Sequence, residues 1–409
     1  MSELDRARAA ALMGAAGLDA LVLFQPEAFR YATGVDPGVA AMWRRAGGAV
    51  AVVPSDPAQP VIALLSDHAA RFGPAPGPGV EVLTHRIWID FVDWRPGAND
   101  PMAGLTAAYR TQGLGGARPE SFDAAKVFGL LGEALASGGL GRAAVGADFE
   151  FLPAADLALL QKTLPAVAWQ DGSEVLRRLR CIKSPLEIEH LIDASNLSEA
   201  GLHHMAERLR PGLKRSELDA LWREGVAAAA AKAGIHVSGD RAGISVGPDL
   251  VAPDPTTRPG DLVKADMGVA VAGYLSDGTR TYALGAPPEA ALQVFAVLEE
   301  AFQAGLEQIG PGRPLGGVHA AVLATTRRLG LEDYYRGHFG HSIGASCGSE
   351  EWPFISDGNA EPMQAGMMLA FETPAYIHGL GAMMIEDQVL VTETGAQAIN
   401  RLPRGLQTL

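Results

Sequence analysis

Two aspartates, Asp266 and Asp277, stand eleven positions apart in the segment DMGVAVAGYLSDGTRT. Side chains alternate between the two faces of a strand, so this odd separation would put the carboxylates on opposite faces of one continuous strand. Gly273 instead predicts a reversal of the chain, and in the resulting hairpin Asp266 can face Asp277. Two adjacent carboxylates repel each other unless one is protonated or both contact a cation. The pair therefore indicates either a cation site or the charged surface of a hairpin.

Three further candidate ligands lie in apolar or glycine-rich segments nearer the C-terminus: His341 in GHFGHSIG, Glu372 in GMMLAFETPAY and Glu386 in AMMIEDQVLV. A carboxylate inside an apolar strand is unfavourable unless it is paired or coordinates a metal. Four carboxylates and one imidazole suit two divalent ions of the Mn, Fe, Co or Zn type. Two such ions ~4 Å apart can bridge a water molecule and activate it as hydroxide.

Together these segments resemble the pita-bread metallopeptidase family, which includes Xaa-Pro aminopeptidases, prolidases, methionine aminopeptidases and creatinase. The resemblance is carried by DxG, GYxSDxTRT, GHSIG, an apolar-flanked FE and IEDxVLVT, and it extends over about residues 175–405. It implies two metal ions and five ligands in the order Asp, Asp, His, Glu, Glu. In this sequence those ligands fall on Asp266, Asp277, His341, Glu372 and Glu386.

The resemblance also implies an α/β (α+β) protein with two domains. Residues 1–174 are similar to the small creatinase-type N-terminal α/β domain, and residues 175–409 to the pita-bread catalytic domain. A length of 409 residues is typical of two domains rather than of one core. Arg280, which follows the second aspartate, is expected to order the ligand strand.

Histidines that the proline-specific peptidases of this family carry beside the ligands are replaced or displaced here. Asp254, in GPDLVAPDPTTRPGD, stands in the place of one. It can form an Asx turn, or it can be a pocket carboxylate that accepts a cationic or N–H group. His338 lies three residues before His341, where the peptidases have a histidine four residues before the ligand. It is either a catalytic residue or a hydrogen-bonded structural histidine.

A further peptidase histidine, in an HE pair, is replaced by Gly348 or Ser349, and its acidic partner is matched by Glu350 or Glu351. Glu350 is the candidate general base, because a carboxylate beside a metal is suited to proton transfer. The alternative for Glu350 is a salt-bridged loop residue. The loss of the histidines counts against simple Xaa-Pro peptidase activity.

The sequence is also similar to dimethylsulfoniopropionate lyases in the run EEWP and in EDQVL. In those enzymes the acidic residue that precedes Glu-Trp-Pro acts as a base, and it corresponds to Glu350. They carry an extra aspartate two residues after the first ligand, where this chain has Gly268, and an N-terminal extension that we do not expect in this protein.

Tryptophans supply the candidate substrate contacts. Trp352 is a pocket wall or a core residue. Trp88 and Trp94 flank two aspartates in HRIWIDFVDWRPGANDP, and they can form ordinary packing and surface charge. Relatives form dimers in which the small domain overhangs the partner's pocket, so this loop can also close a neighbouring subunit's site around a cationic substrate.

Composition limits the remaining function classes. A formal net charge of −14 argues against nucleic acid as the main partner. No apolar run reaches the ~18 residues needed to span a bilayer, and the N-terminus lacks the order of a signal peptide, so we expect a cytoplasmic protein. Two cysteines, Cys181 and Cys347, cannot form a disulfide framework.

Periodicity and turn residues predict the elements around the site. The apolar runs LDALVLF, GAVAVVP, VIALL, VEVLTH and AAVGAD read as strands, and GPAPGPG reads as a turn. Ser184 and Pro185 are typical of a helix start. Further helices are predicted at residues 3–16, 288–309 and 315–329 and in KRSELDALWREGVAAAAAKAG.

The sequence therefore predicts a homodimeric binuclear metallohydrolase, with manganese among the suitable metals. A metal-bound hydroxide would attack an amide-type C–N bond of a small substrate, either a proline-type peptide or a non-peptide amide. Glu350 would move the proton. The alternatives are a metal-dependent lyase and a catalytically silent binding module.

Overall fold

Mixed strands and helices build this chain as two units, Met1–Leu179 and Arg180–Leu409. The division lies inside a helix and five residues after the position predicted from the sequence. The structure is a computed structural model that describes residues 4–73, 75–95, 100–113, 116–346 and 350–409. The residues Glu3, Cys347, Gly348 and Ser349, on which expectations were placed, lie outside these ranges.

The first unit contains a six-stranded sheet in the order β4-β3-β2-β1-β5-β6. Strands β1, β2 and β3 pair antiparallel, and the outer pairs are parallel. The elements are α1 (Arg6–Ala15), β1 (Ala20–Leu23), α2 (Pro26–Thr33), α3 (Ala40–Trp43), β2 (Val50–Pro54), β3 (Val61–Ser66), α4 (Asp67–Phe72), β4 (Val80–His85), α5 (Pro101–Thr111), α6 (Ala124–Ser137), β5 (Ala144–Ala147), α7 (Ala154–Thr163), β6 (Ala168–Asp171) and α8 (Ser173–Cys181).

Helices cover both faces of this sheet. Leu21, Leu23 and Val53 belong to one buried cluster, whereas Val22 and Val52 belong to another on the opposite face. This alternation explains why the strands read as continuous apolar runs.

The second unit contains a ten-stranded sheet whose main path is β12-β11-β13-β14-β10-β8-β7. Its elements are α9 (Pro185–Ala206), α10 (Arg215–Ala233), β7 (Val237–Val246), β8 (Leu262–Val271), β9 (Tyr274–Leu275), β10 (Gly278–Ala283), α11 (Glu289–Leu306), α12 (Leu315–Arg328), β11 (His338–Ser342), β12 (Glu351–Ser356), β13 (Met368–Ile377), β14 (Gly381–Val391), β15 (Ala396–Ala398) and β16 (Gln407–Thr408).

Helices cover one face of this second sheet. Odd-numbered residues of β8, such as Ala265 and Met267, pack with α9 and α10. Odd-numbered residues of β13 and β14, such as Phe371 and Ile385, pack with α11 and α12. The even-numbered residues of the same strands therefore point to the other face, and that face carries the polar side chains described next.

Helix starts follow the predicted chemistry. The Ser184 side chain accepts the N–H of Glu187, and the Glu187 carboxylate accepts the N–H of Ser184, which together form a capping box at the start of α9. Among the described residues, no helix has the length and apolar character needed to cross a membrane.

Candidate metal centre

The five predicted ligand residues lie on neighbouring strands of the second sheet. His341 is in β11, Glu372 in β13 and Glu386 in β14. Asp277 immediately precedes β10, and Asp266 is in β8. Since the sheet order is β11-β13-β14-β10-β8, five positions far apart in sequence become lateral neighbours.

Strand register puts these side chains on one face. Glu372 is opposite Glu386, Glu386 is opposite Thr279, and Thr279 is opposite Asp266. Asp277 precedes Thr279 by two residues, so it shares that face. The prediction that Asp266 faces Asp277 directly needs a correction, because Thr279 takes the opposite position and Asp277 is the diagonal neighbour.

A tight turn fixes this hairpin. Val271 pairs with Tyr274, so the connection contains only Ala272 and Gly273. Their φ angles are 51° and 84°, as a two-residue hairpin turn with two left-handed positions requires. The glycine identified in the sequence therefore occupies the second position, and an alanine accepts the first.

The donor atoms are close enough for an ion. Asp277, His341 and Glu386 each offer one ligand atom, and these atoms all lie within 4.8 Å of one another. Asp266 and Glu372 line the same cleft, whose volume is about 220 Å³. Asp266 Oδ1 is buried, and Arg241 Nη2 lies 3.0 Å from it. Carboxylate oxygens and an imidazole are suitable donors for a divalent transition metal, so the residues fit such an ion.

Burial makes these carboxylates difficult to ionise without a cation. It raises the pKa of Asp277 to about 7, although the charge of Arg241 opposes the shift. Burial, together with the charges of Asp277 and Asp266, also raises the pKa of Glu386 well above its ordinary value. A bound cation would favour the charged form of these groups, because opposite charge offsets the desolvation penalty.

Three cationic side chains reach the same carboxylates. Arg241, in β7, lies 3.0 Å from Asp266 Oδ1 and donates a hydrogen bond to the Asp277 carboxylate. Lys264 Nζ lies 3.0 Å from Asp266 Oδ2, and Arg336 Nη2 lies 3.4 Å from Glu372 Oε1. Burial raises the pKa of Asp266, but Lys264 and Arg241 outweigh it and hold that pKa below its ordinary value.

Of the three predicted catalytic residues, two lie at or beside the cleft and one lies away from it. Glu350 lines the cleft, and His338 Nε2 lies 3.5 Å from its Oε2. His338 Nδ1 also lies 3.7 Å from Glu372 Oε1, so this histidine stands beside the centre. Asp254 is exposed and does not line the cleft. It accepts hydrogen bonds from Ser216 N–H and Oγ at the start of α10, a contact across the fold rather than the local Asx turn expected from the sequence.

Glu351 contacts Ser346, which lies shortly after His341 in the sequence. Its buried carboxylate pairs with Arg180 and accepts the N–H of Ser346 at 2.9 Å. Lys183 lies 3.9 Å away. Of the two acidic candidates in the sequence, Glu350 therefore faces the cleft, whereas Glu351 is an internal ion-pair partner.

The tryptophans predicted to contact substrate have other neighbours. Trp352 is half-buried and packs against the core formed with α11 and α12, and it does not line the cleft. In the first unit, the rings of Trp88 and Trp43 are 5.2 Å apart, and 37% of Trp94 is exposed. A role for Trp88 and Trp94 in a neighbouring subunit's site stays a prediction.

Sequence reasoning missed the three cations. The position of Lys264 was predictable, because it lies two residues before Asp266 in an otherwise apolar run, and side chains two residues apart in a strand share a face. Arg241 and Arg336 had none, since nothing in their local sequence predicts the strand neighbours that bring them to the carboxylates.

Comparison with known proteins agrees with this geometry. Residues 189–393 match the family model for metallopeptidase family M24, and residues 6–83 match that for the creatinase/prolidase N-terminal domain. The Xaa-Pro dipeptidase of Pyrococcus furiosus is 31% identical over 237 residues, which are 57% of this chain and 67% of that protein. The chain thus spans about two thirds of the length of the curated relatives it matches.

Solved structures resemble the whole chain. The dipeptidase PepE of Mycobacterium ulcerans has a TM-score of 0.72 and 26% identity, covering 98% of this chain and 96% of that one. The Xaa-Pro dipeptidase of Bacillus anthracis has a TM-score of 0.75 and 20% identity, covering 99% of each chain. These matches confirm the fold expected from the sequence, a small creatinase-type domain followed by a pita-bread domain.

Proposed function

We propose that this chain, which belongs to metallopeptidase family M24, is a metallohydrolase that cleaves an amide-type C–N bond in a short peptide. The observation that carries the proposal is the row of four carboxylates and one imidazole on one sheet face, inside one cleft. The Pyrococcus furiosus relative is named an Xaa-Pro dipeptidase, so proline dipeptides are the first substrates to assay.

The metal would be held by the residues that resemble the family's ligands, and two ions of the Mn, Fe, Co or Zn type is the count that the resemblance implies. When bound, a divalent ion supplies Lewis acidity that polarises a carbonyl and lowers the pKa of water. The ligand residues are Asp266, Asp277, His341, Glu372 and Glu386.

Glu350 and His338 handle the proton in this proposal. The Glu350 carboxylate borders the cleft and is largely exposed, so it can accept a proton from water and deliver it to the leaving amine. His338, 3.5 Å from Glu350, orients that carboxylate. Burial lowers the pKa of His338, against the charge of Glu350, which favours the neutral imidazole as an acceptor or donor near pH 7.

The rest of the cleft suits a small substrate with a negative end. Arg336 and Tyr376 line the same cleft as Leu275 and Ile343. A guanidinium binds a carboxylate through paired N–H donors. A dipeptide, whose C-terminal carboxylate lies close to its scissile bond, matches a cleft with this charge and size.

Metal content is the first test, measured by elemental mass spectrometry on protein purified without chelator or affinity nickel. We expect transition metal in the wild type and its loss in Asp277→Asn. The matched control is Asp357→Asn, an exposed aspartate in the turn after β12. A wild type that holds no metal and takes up none of Mn, Fe, Co or Zn contradicts the proposal.

A lyase is the second candidate, and its products distinguish it. Hydrolysis in ¹⁸O-labelled water places the label in a carboxylate product, whereas elimination forms an alkene without label. The backbone at Gly268 counts against the lyase branch, because a Cβ there would lie 2.3 Å from Ser276 O. The aspartate that the branch carries at this position would therefore require the hairpin to move.

A silent binding module, a homodimer, a cytoplasmic location and manganese as the metal stay expectations from the sequence. The complete set of five ligand residues argues against the silent module. Turnover of any dipeptide by the metal-loaded wild type, abolished in Asp277→Asn, would exclude it.

A further inference from the structure

Lys264 is a buried cation on the ligand strand itself. It precedes Asp266 by two residues in β8, so both side chains lie on the same sheet face. Only 4% of Lys264 is exposed, and its Nζ lies 3.0 Å from Asp266 Oδ2. The ring of Tyr376 covers it at 5.3 Å from Nζ to the centroid. A buried lysine is rare unless an opposite charge accompanies it.

Arg241 contacts the other oxygen of the same carboxylate. Its register partner is Gly268, which shares the Asp266 face, and Nη2 lies 3.0 Å from Asp266 Oδ1. Each oxygen of Asp266 therefore has a cation within 3.0 Å. By contrast, the ligand atoms of Asp277, His341 and Glu386 already form a group within 4.8 Å.

The charge of the cleft limits how many cations it can hold. The four predicted ligand carboxylates and Glu350 together carry five negative charges, while Arg241, Lys264 and Arg336 carry three positive charges. One divalent ion neutralises the remaining two negative charges, and a second adds two uncompensated positive charges to a largely buried site. The second ion would be repelled strongly by the first ion and by the three cationic side chains, because water is largely excluded from the site.

We propose that Lys264, assisted by Arg241, is a built-in counterion of Asp266 that weakens the second metal position. The first ion then binds on the side of Asp277, His341 and Glu386. The second must share Asp266 with the Lys264 ammonium. This inference rests on the proposed function, because it requires these residues to bind metal.

The test is a titration of metal-stripped, full-length protein with Mn²⁺, using isothermal calorimetry and elemental analysis after equilibrium dialysis. The wild type is expected to bind one ion in a first step and a second at least ~100-fold more weakly. Lys264→Met is expected to tighten the second step by at least ~10-fold and to change the first step less. Lys264→Arg, which keeps the charge, should retain the gap.

Lys264→Gln is a second uncharged variant, to be used if Lys264→Met does not fold. Circular dichroism identifies the folded samples. Equal affinities for two ions in the wild type would overturn the inference even if both lysine variants failed to fold. An unchanged ratio of the two affinities in a folded Lys264→Met or Lys264→Gln would also overturn it, while leaving the proposed function intact. A wild type that binds no Mn²⁺ would overturn both.

Discussion

Replacement of Arg280 should show how β10 and β14, the strands beside the proposed ligands Asp277 and Glu386, are stabilised on their helix-covered face. Arg280 follows Thr279, so it points to the helix-covered face, where only 2% of it is exposed. Its guanidinium donates to Leu402 O at 2.8 and 3.1 Å, to Thr279 O at 2.8 Å and to Glu386 O at 2.9 Å. It also donates to the buried Asp387 carboxylate at 2.8 Å.

The expected loss follows from these contacts. Arg280→Met removes the donors to these carbonyls and reduces the charge that compensates Asp387, which retains Arg404 at 2.7 Å. Breaking a buried ion pair by removing one partner destabilises a fold by about 3–5 kcal/mol. Arg280→Lys should restore little, because one ammonium cannot reach all four acceptors with the fork geometry of a guanidinium.

Hydrogen exchange measured by mass spectrometry is the suitable assay, because a two-domain chain need not unfold in one step. Exchange of peptides from β10 and β14 should accelerate about 100-fold or more, since each 1.4 kcal/mol is a factor of ten. The matched control is Arg223→Met. Its exposed pairs with Asp219 and Asp240 should contribute less than about 1 kcal/mol.

A change of less than about tenfold in those peptides would refute this reasoning, as would equal effects of Arg280→Met and Arg223→Met. Arg280→Met should also weaken Mn²⁺ binding, because its donors fix the backbone of Glu386. Faster exchange with unchanged metal affinity would show that Arg280 stabilises the sheet without positioning the proposed ligand residues.

Three further predictions concern other buried groups. Burial raises the pKa of Glu351, but the charge of Arg180 outweighs it and lowers that pKa, so the pair's stabilisation exists at neutral pH and is lost as pH falls through the folded pKa. Glu351→Gln should therefore lower the free energy of unfolding by about 3–5 kcal/mol at pH 7 and by less near pH 4; a gap independent of pH would contradict this. Burial raises the pKa of Asp148 to about 7, so its contribution is complete below ~4 and is lost as pH rises through about 7. Urea unfolding of Asp148→Asn should show a flatter pH dependence between 5 and 8, and an unchanged slope would count against the raised pKa. At Gly305 a Cβ would lie 2.4 Å from Phe371 Cζ, so Gly305→Ala should destabilise the fold by about 1–3 kcal/mol; an unchanged melting temperature would mean that the ring moves freely.

Sequence reasoning succeeded where one local rule decides the outcome. Apolar runs and turn residues located strands β1 to β5 of the first sheet, and the helix predicted at 288–309 is α11, Glu289–Leu306. Gly273 marked the hairpin because a two-residue turn requires left-handed backbone. The cap at Ser184 has its own chemistry and needs no tertiary information.

Sequence reasoning failed where the answer depends on pairing between distant strands. The spacing of Asp266 and Asp277 predicted a hairpin, but only the register shows that Thr279 takes the opposite position. Arg241 reaches the carboxylates because β7 pairs with β8, and nothing local to it reports that neighbour. Asp254 had two interpretations, a local turn and a pocket carboxylate, and its contact with Ser216, 38 residues away in sequence, corresponds to neither.

In β13 and β14, odd-numbered residues such as Phe371 and Ile385 pack under the helices, whereas Glu372 and Glu386 point to the cleft, and this division also favours correct pairing of the strands. If β13 or β14 paired one residue out of register, every side chain would exchange faces. Glu372 or Glu386 would then enter the layer that α11 and α12 cover, and Phe371 or Ile385 would face the cleft. Burying a lone carboxylate in an apolar layer is very unfavourable. The residues proposed to bind metal thus reject mispaired strands while the chain folds, before any ion is bound.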